Sequence, residues 1–229
     1  MSQDVQGEAY EYPEIFFEEK IHEIRRIHPD PRQVERMAKE LKESKQPIII
    51  AGGGVLYSEA EKELSDFAKK HNIPVTATVM GIGCMDKEDP YYISAIGCLG
   101  DGSSNNLSKD TDLAIAIGTK LADFTTGSWT NFQNDNFKLA SINTARFDTT
   151  KHRAIPVVSD AKIGLIELSK ILADWRAPDK WYKKSIEEKE KWDSYIEKQS
   201  GPTNNEVPSY AHAVGAINRK ADKSDIVVT

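Results

Sequence analysis

Three stretches of this 229-residue chain bring together side chains or backbone groups that could bind or react. Gly52-Gly53-Gly54 directly follows a short apolar run, and glycines after a first strand let a phosphate approach backbone N–H groups. A nucleotide in such a cleft would also meet Thr119, Asn143 and Asp160 at later strand ends, but strict G-x-G-x-x-G spacing fails because Leu56 and Tyr57 occupy the third-glycine region. Asn143 stands where a ribose-binding carboxylate is usual, which weakens hydrogen bonding to the two hydroxyls. The second stretch, Asp123, Thr125, Thr126, Ser128 and Trp129, crowds hydroxyls, a carboxylate and an aromatic ring onto one glycine-bearing loop. That loop suits contact with substrate or a neighbouring domain, and it suits equally a loop packed for its own stability. Gly100-Asp101-Gly102, with Asn131 downstream, invites a magnesium reading. Magnesium wants octahedral oxygens on a rigid strand end, whereas Tyr91–Leu99 is broken by Ser94 and Gly97, so a turn leading into a helix near Ser103 is expected.

Other reactive residue types are isolated. His152 between Lys151 and Arg153 reads as a solvated basic turn, and His22, His28, His71 and His212 fall in amphipathic or linker settings without an evident partner. Cys84 and Cys98 lack ligand-like spacing and are read as buried small hydrophobes in a reducing compartment. No catalytic residue and no metal ligand set is assigned. The formal charge of -6 arises from mixed acidic and basic residues with no basic stripe, which argues against nucleic acid. No run approaches the roughly 20 apolar residues of a membrane span, and the polar start is not a signal peptide, so a cytoplasmic protein is expected.

The elements that must position these residues alternate in kind. Short apolar runs at Pro47–Ala51, Pro74–Val79, Leu113–Ile117, Phe137–Ile142 and Ile155–Val158 read as buried strands. Helical spacing follows Pro31 (Val34, Met37, Ala38, Leu41), and Ser58 with Glu61 forms a capping-box pattern before Leu64 and Phe67. Asp160 caps a further helix burying Leu165, Leu168 and Leu172. Strands alternating with amphipathic helices predict a doubly wound, Rossmann-like parallel α/β sheet with helices on both faces. Residues 1–30, with Tyr10, Tyr12, Phe16, Phe17, Arg25 and Arg26, read as an extended linker, and 31–173 as the domain. A charged helix with an aromatic edge is expected over Pro178–Gln199, then an amphipathic helix through Tyr210 and Ile217, then a strand beginning at Asp225 that stops as if truncated.

Several of these runs resemble the central domain of thiamine-diphosphate-dependent enzymes. Gln3-Asp4-Val5, Pro47–Gly54, Ala116-Ile117-Gly118-Thr119, the segment from Ile142-Asn143 through Lys151, and Pro156–Asp160 carry the likeness. Within that family, the runs Gly7–Pro13, Ala51–Ser58, Asp123–Trp129, Ala145–Asp148 and Trp175–Pro178 are similar to the branch that opens cyclic polyol diketones in myo-inositol catabolism. The resemblance implies a hydrolase of carbon–carbon bonds that uses thiamine diphosphate and magnesium and yields 5-deoxyglucuronate. Both groups would be held by domains flanking this one, and the whole would be a cytoplasmic homo-oligomer. Residues 1–30 would then be the tail of a pyrimidine-binding domain with its linker, 174–206 a helical linker, and 207–229 the start of a diphosphate-binding domain. The excerpt itself would be non-catalytic. The alternative is a nucleotide-binding module, holding FAD, NAD or ADP in the glycine cleft as in acetohydroxyacid-synthase-like enzymes; a self-sufficient dehydrogenase is disfavoured because no Tyr or His stands at a convincing strand end.

Overall fold

The computed structural model describes residues 2–23, 25–222 and 224–226. Six parallel strands form one sheet in the order β3-β2-β1-β4-β5-β6. They are β1 (Pro47–Ala51), β2 (Val75–Ala77), β3 (Tyr92–Ala95), β4 (Leu113–Ile117), β5 (Lys138–Asn143) and β6 (Ile155–Val158). The expected doubly wound sheet is therefore present, and the strand order reverses between β1 and β4, which is the switch point where such sheets open a crevice.

A four-residue helix α1 (Gln3–Gln6) opens the chain, and α2 (Pro31–Glu43) starts at Pro31, with Asp30 accepting from the Arg32 N–H. After β1 the chain turns directly into α3 (Gly53–Tyr57) and then α4 (Glu61–His71). Next come α5 (Gly102–Asp110), α6 (Asp123–Thr126), α7 (Arg146–Thr150), α8 (Ala161–Leu172), α9 (Asp179–Ser200) and α10 (Tyr210–Lys220). Helices α2, α4 and α8 bury Met37, Leu41, Leu64, Leu165 and Leu168 with Ile49, Ile115 and Ile117 of the sheet. On the other face Ile48, Ile50, Ala114 and Ala116 meet Leu107 of α5 and Trp181 of α9. Strands covered on both faces must be apolar at every position, which is why Pro47–Ala51 and Leu113–Ile117 read as unbroken runs.

Several expectations are corrected. Ser58 does not cap the next helix: it ends α3, its hydroxyl donates to Asp160 at 2.9 Å, and the residue before α4 is Ala60. A tertiary bond to a buried carboxylate has displaced the local cap. Strand β2 is shorter than Pro74–Val79, because Val79–Gly81 turns into a 3-10 helix. The segment Tyr91–Leu99 contains strand β3, in which Ser94 is tolerated because the strand lies at the sheet edge and the hydroxyl bonds Asp101. Cys84 is buried, and burial pushes its thiol up to about 11, but Cys98 is exposed on the turn after β3. The strand proposed at 225–229 lies partly outside the described residues, and Asp225 and Ile226 are in no strand.

The charged helix is no loose tether. Trp181 is buried and its indole N–H donates to the Pro47 carbonyl at 2.7 Å, while Tyr182 stacks on Tyr91 with centroids 4.5 Å apart. The Lys189 ammonium donates to the Tyr92 carbonyl at 2.6 Å, covering the edge strand, and the Trp192 ring lies against Gly102. The path from α8 to α9 is pinned by His71, whose ring bonds the Trp175 carbonyl at 2.7 Å and the Ser169 hydroxyl at 3.1 Å. Next to it Asn72 donates to the Ala177 carbonyl and to Asp179.

Burial lowers the His71 pKa from the ordinary imidazole value, with Lys70 and Arg176 adding to the effect against the Trp175 hydrogen bond. The unfolded chain then takes up this proton at a higher pH than the folded one, so His71 makes stability rise with pH. Its contribution should be complete above about pH 6.5 and shrink as the pH falls below that value. In urea unfolding at pH 7.5 and 5.5, His71→Gln should lose less stability on acidification than the unaltered chain. Equal acid losses in both would refute the assignment.

Candidate functional site

Above the switch point lies a cleft of about 400 Å³. Its floor is built by two turns in close contact. The Gly52 N–H donates to the Ile117 carbonyl at 2.8 Å, and the Gly54 N–H donates to the Gly118 carbonyl at 3.0 Å. Gly118 has a φ of +62°, and a Cβ there would sit 2.6 Å from the Gly54 Cα. The glycines are thus required by the approach of two backbones. The same contacts engage N–H groups that a phosphate cradle would need.

One wall is formed by the loop after β2 and the other by the loops after β3 and β4. Gly97, at φ +103°, lets the second pair touch: a Cβ there would be 2.2 Å from the Phe124 carbonyl, and the Cys98 N–H donates to that carbonyl at 2.8 Å. This brings the loop that carries Leu99 against Phe124, and both line the cleft together with Val79 and Met80. All four side chains line the cleft and all are at least half exposed, with Leu99 at 70%. Lys120 supplies the cation of the lining, and no Asp or Glu takes part.

Of the residues proposed for a nucleotide, Gly53, Gly54 and Thr119 line the cleft, while Gly52, Asn143 and Asp160 do not. The Asn143 amide donates to the Thr119 carbonyl at 3.2 Å and its oxygen accepts from the Ala145 N–H at 2.9 Å. Asp160 lies at the N-terminus of α8, where it accepts from Ile163, Ser58 and Arg26. Of the polar loop, Thr125 alone lines the cleft, and Asp123 is exposed at the start of α6. The Thr126 hydroxyl is buried between the Asp123 carbonyl and the Trp129 N–H. Ser128 and Trp129 take positive φ as the chain turns downward, and the Trp129 ring packs on Phe132 and on His152, 4.3 Å away between centroids. Most of that loop is therefore committed to its own fold. The residues missed in the sequence are the apolar rim, which no local signal distinguishes from core.

Magnesium and a diphosphate do not suit Gly100-Asp101-Gly102. The Asp101 carboxylate takes the Ser94 hydroxyl, Gly100 is packed on the backbone of Ala95 and Ile96, and Gly102 is under Trp192. Among the described residues no three His, Cys, Asp or Glu side chains gather closely enough to hold a metal ion, and no helix is long and apolar enough to cross a membrane.

The profile of the thiamine pyrophosphate enzyme central domain matches residues 34–168. The chain is 42% identical over 165 residues to a 3D-(3,5/4)-trihydroxycyclohexane-1,2-dione hydrolase of Clostridium tetani, covering 72% of this chain and 26% of that protein. A protein of the same name from Bacillus anthracis is 31% identical over 252 aligned positions, covering 100% of this chain and 39% of the relative. A third, from Bacillus thuringiensis, is 39% identical over 168 residues, 73% of this chain and 26% of its own length. The chain thus spans about a quarter to two-fifths of the curated relatives it matches. With the profile covering more than half of the residues and the sheet order of a doubly wound domain beneath it, the chain belongs to the thiamine pyrophosphate enzyme family, in which it is a central domain.

Proposed function

We propose that this chain is the central domain of a thiamine-diphosphate-dependent hydrolase that opens the ring of trihydroxycyclohexane-1,2-dione to 5-deoxyglucuronate in myo-inositol catabolism. The observation that carries the reading is the identity to three hydrolases of that name, each matched over only part of its own length. The domain's role is architectural: it separates two flanking domains, holding them through residues 1–30 on one side and 174–229 on the other. Thiamine diphosphate and magnesium, which would supply the carbon–carbon bond chemistry, belong in this reading to those flanking domains. The donor groups described here fit neither, since the one Gly-Asp-Gly triplet is engaged in packing and two of the three glycine amides, those of Gly52 and Gly54, bond to neighbouring carbonyls. Asp123 and Thr125 remain the residues of the polar loop best placed to face a neighbour or a substrate. A cytoplasmic homo-oligomer is the assembly we assign.

The test is a paired assay. The full-length polypeptide should open the cyclic dione only when thiamine diphosphate and magnesium are supplied, and residues 1–229 alone should show no turnover under the same conditions. Turnover by the 229-residue chain, or a full-length protein inert toward the dione, would overturn the reading.

A further inference from the structure

We infer that the cleft above the switch point receives an apolar, ring-bearing molecule carrying one negative group, and that it no longer receives a dinucleotide. The inference is independent of the reaction proposed above.

Dinucleotide binding at this place requires free N–H groups at the glycine turn for the diphosphate and an acceptor at a strand end for the ribose. Neither requirement is met in full, for reasons visible in the bonding. The Gly52 and Gly54 N–H groups are held by the carbonyls of Ile117 and Gly118, which leaves the Gly53 N–H as the one amide of the turn without a backbone partner among the described residues. Asn143 binds the Thr119 carbonyl and the Ala145 N–H, and Asp160 is turned into the α8 cap with Arg26 and Ser58. The groups that remain have a different character. Val79, Met80, Leu99 and Phe124 all line the opening with half or more of their surface in water. Tyr57, 81% exposed, adds an aromatic face. Solvated side chains of this size, gathered around one concavity, are what a small apolar ligand covers.

Charge narrows the class further. Lys120 lines the cleft and forms no ion pair among the described residues, and the lining holds no carboxylate to repel an anion. Thr78, Thr119 and Thr125 provide further polar groups on the lining. A neutral hydrocarbon would leave Lys120 unused, and a dianionic diphosphate would find one cation where it needs a cradle of amides. A single carboxylate or sulfonate on a ring system matches the set, at a volume of about 400 Å³, which is within the range of ordinary small-molecule sites.

The probe is 8-anilinonaphthalene-1-sulfonate, titrated into the 229-residue chain with fluorescence and amide NMR read together. Saturable one-to-one binding is expected, with shifts concentrated at Gly53, Gly54, Thr119 and Thr125. Leu99→Asp should weaken it at least tenfold and Lys120→Glu several-fold. Both side chains are exposed, so the fold should survive, and the unchanged NMR spectrum away from the cleft checks that it does. Phe16→Asp, on the exposed aromatic segment near the N-terminus, should leave binding as it is. FAD, NAD and ADP should neither compete nor shift the cleft amides. The inference is overturned if any of those nucleotides shifts the cleft amides as strongly as the probe does, if probe binding survives Leu99→Asp unchanged, or if no saturable binding is seen.

Discussion

Gly118→Val is expected to cost the fold about 2–5 kcal/mol of stability. Gly118 sits at φ +62°, and its Cβ would lie 2.6 Å from the Gly54 Cα and 2.8 Å from the Val55 nitrogen. These are backbone atoms, so no side chain can swing aside to make room. A left-handed β-branched residue costs about 1–2 kcal/mol, and forcing atoms into a packed site about 1–3 kcal/mol more. Since whole domains are stable by only about 5–15 kcal/mol, the sum threatens the native state itself. The reciprocal change, Gly54→Val, meets the Gly118 Cα at 2.6 Å and should act in the same direction. Gly83→Ala separates the two causes, because Gly83 has φ +98° but no atom within 4 Å of an added Cβ. It should show a conformational cost alone, on the order of 1 kcal/mol. Urea unfolding followed by far-ultraviolet circular dichroism reads all three. If Gly118→Val unfolded at nearly the concentration of the unaltered chain, the glycines could not be ascribed to backbone approach, and a ligand would again be the better reason for them.

That experiment bears on what the sequence could convey. Strands β1 and β4 were legible because a strand buried on both faces must be apolar at every position, and Pro47–Ala51 and Leu113–Ile117 are such runs. The edge strand β6 was legible because Ile155–Val158 happens to be an apolar run, although it alternates buried and half-buried. Strand β3 was not, because an edge strand can carry Ser94 and end at Gly97 without loss, and the residues that cover it lie on α9, far along the chain. The cleft was half legible. Gly53, Gly54 and Thr119 announce a turn at a strand end, but whether their amides are free depends on a backbone more than sixty residues away. Its apolar rim is invisible by the same logic: Val79, Met80, Leu99 and Phe124 have the composition of core residues, and only the sheet order leaves them facing water. Trp181 was assigned to the edge of a surface helix and instead completes the second core. Helical periodicity gives a face its polarity but not its partner.

The second large effect belongs to Asp160, for which the sequence offered a helix cap and a place in a nucleotide cleft. Its side chain is 10% exposed and meets three donors: the Ile163 N–H at 3.2 Å, the Ser58 hydroxyl at 2.9 Å, and Arg26 Nη1 at 3.1 Å from each carboxylate oxygen. Arg26 also donates to the Ser58 carbonyl, and the backbone N–H of Asp160 bonds the Ile27 carbonyl at 2.9 Å. One carboxylate therefore joins the α3–α4 turn, the start of α8 and the end of the N-terminal linker. Asp160→Ala should cost about 3 kcal/mol, the low end for breaking a buried pair, because Arg26 keeps a third of its side chain in water and is partly resolvated. Asp160→Asn retains an acceptor for Ser58 and for the cap and should cost less, about 1–2 kcal/mol. Arg26→Ala should be the mildest, on the order of 1 kcal/mol, since the carboxylate keeps its other donors. In the double variant the losses should fall short of the sum, because both single changes remove the same bond. The linker supplies an independent readout: Asp160→Ala should make the chain before α2 easier to cleave by protease under native conditions, with cuts near Arg25 and Arg26. If Arg26→Ala proved as damaging as Asp160→Ala, the arginine would be the hub and the carboxylate its accessory. The linker would then be fastened from its own side, and the order of the three losses decides between the two arrangements.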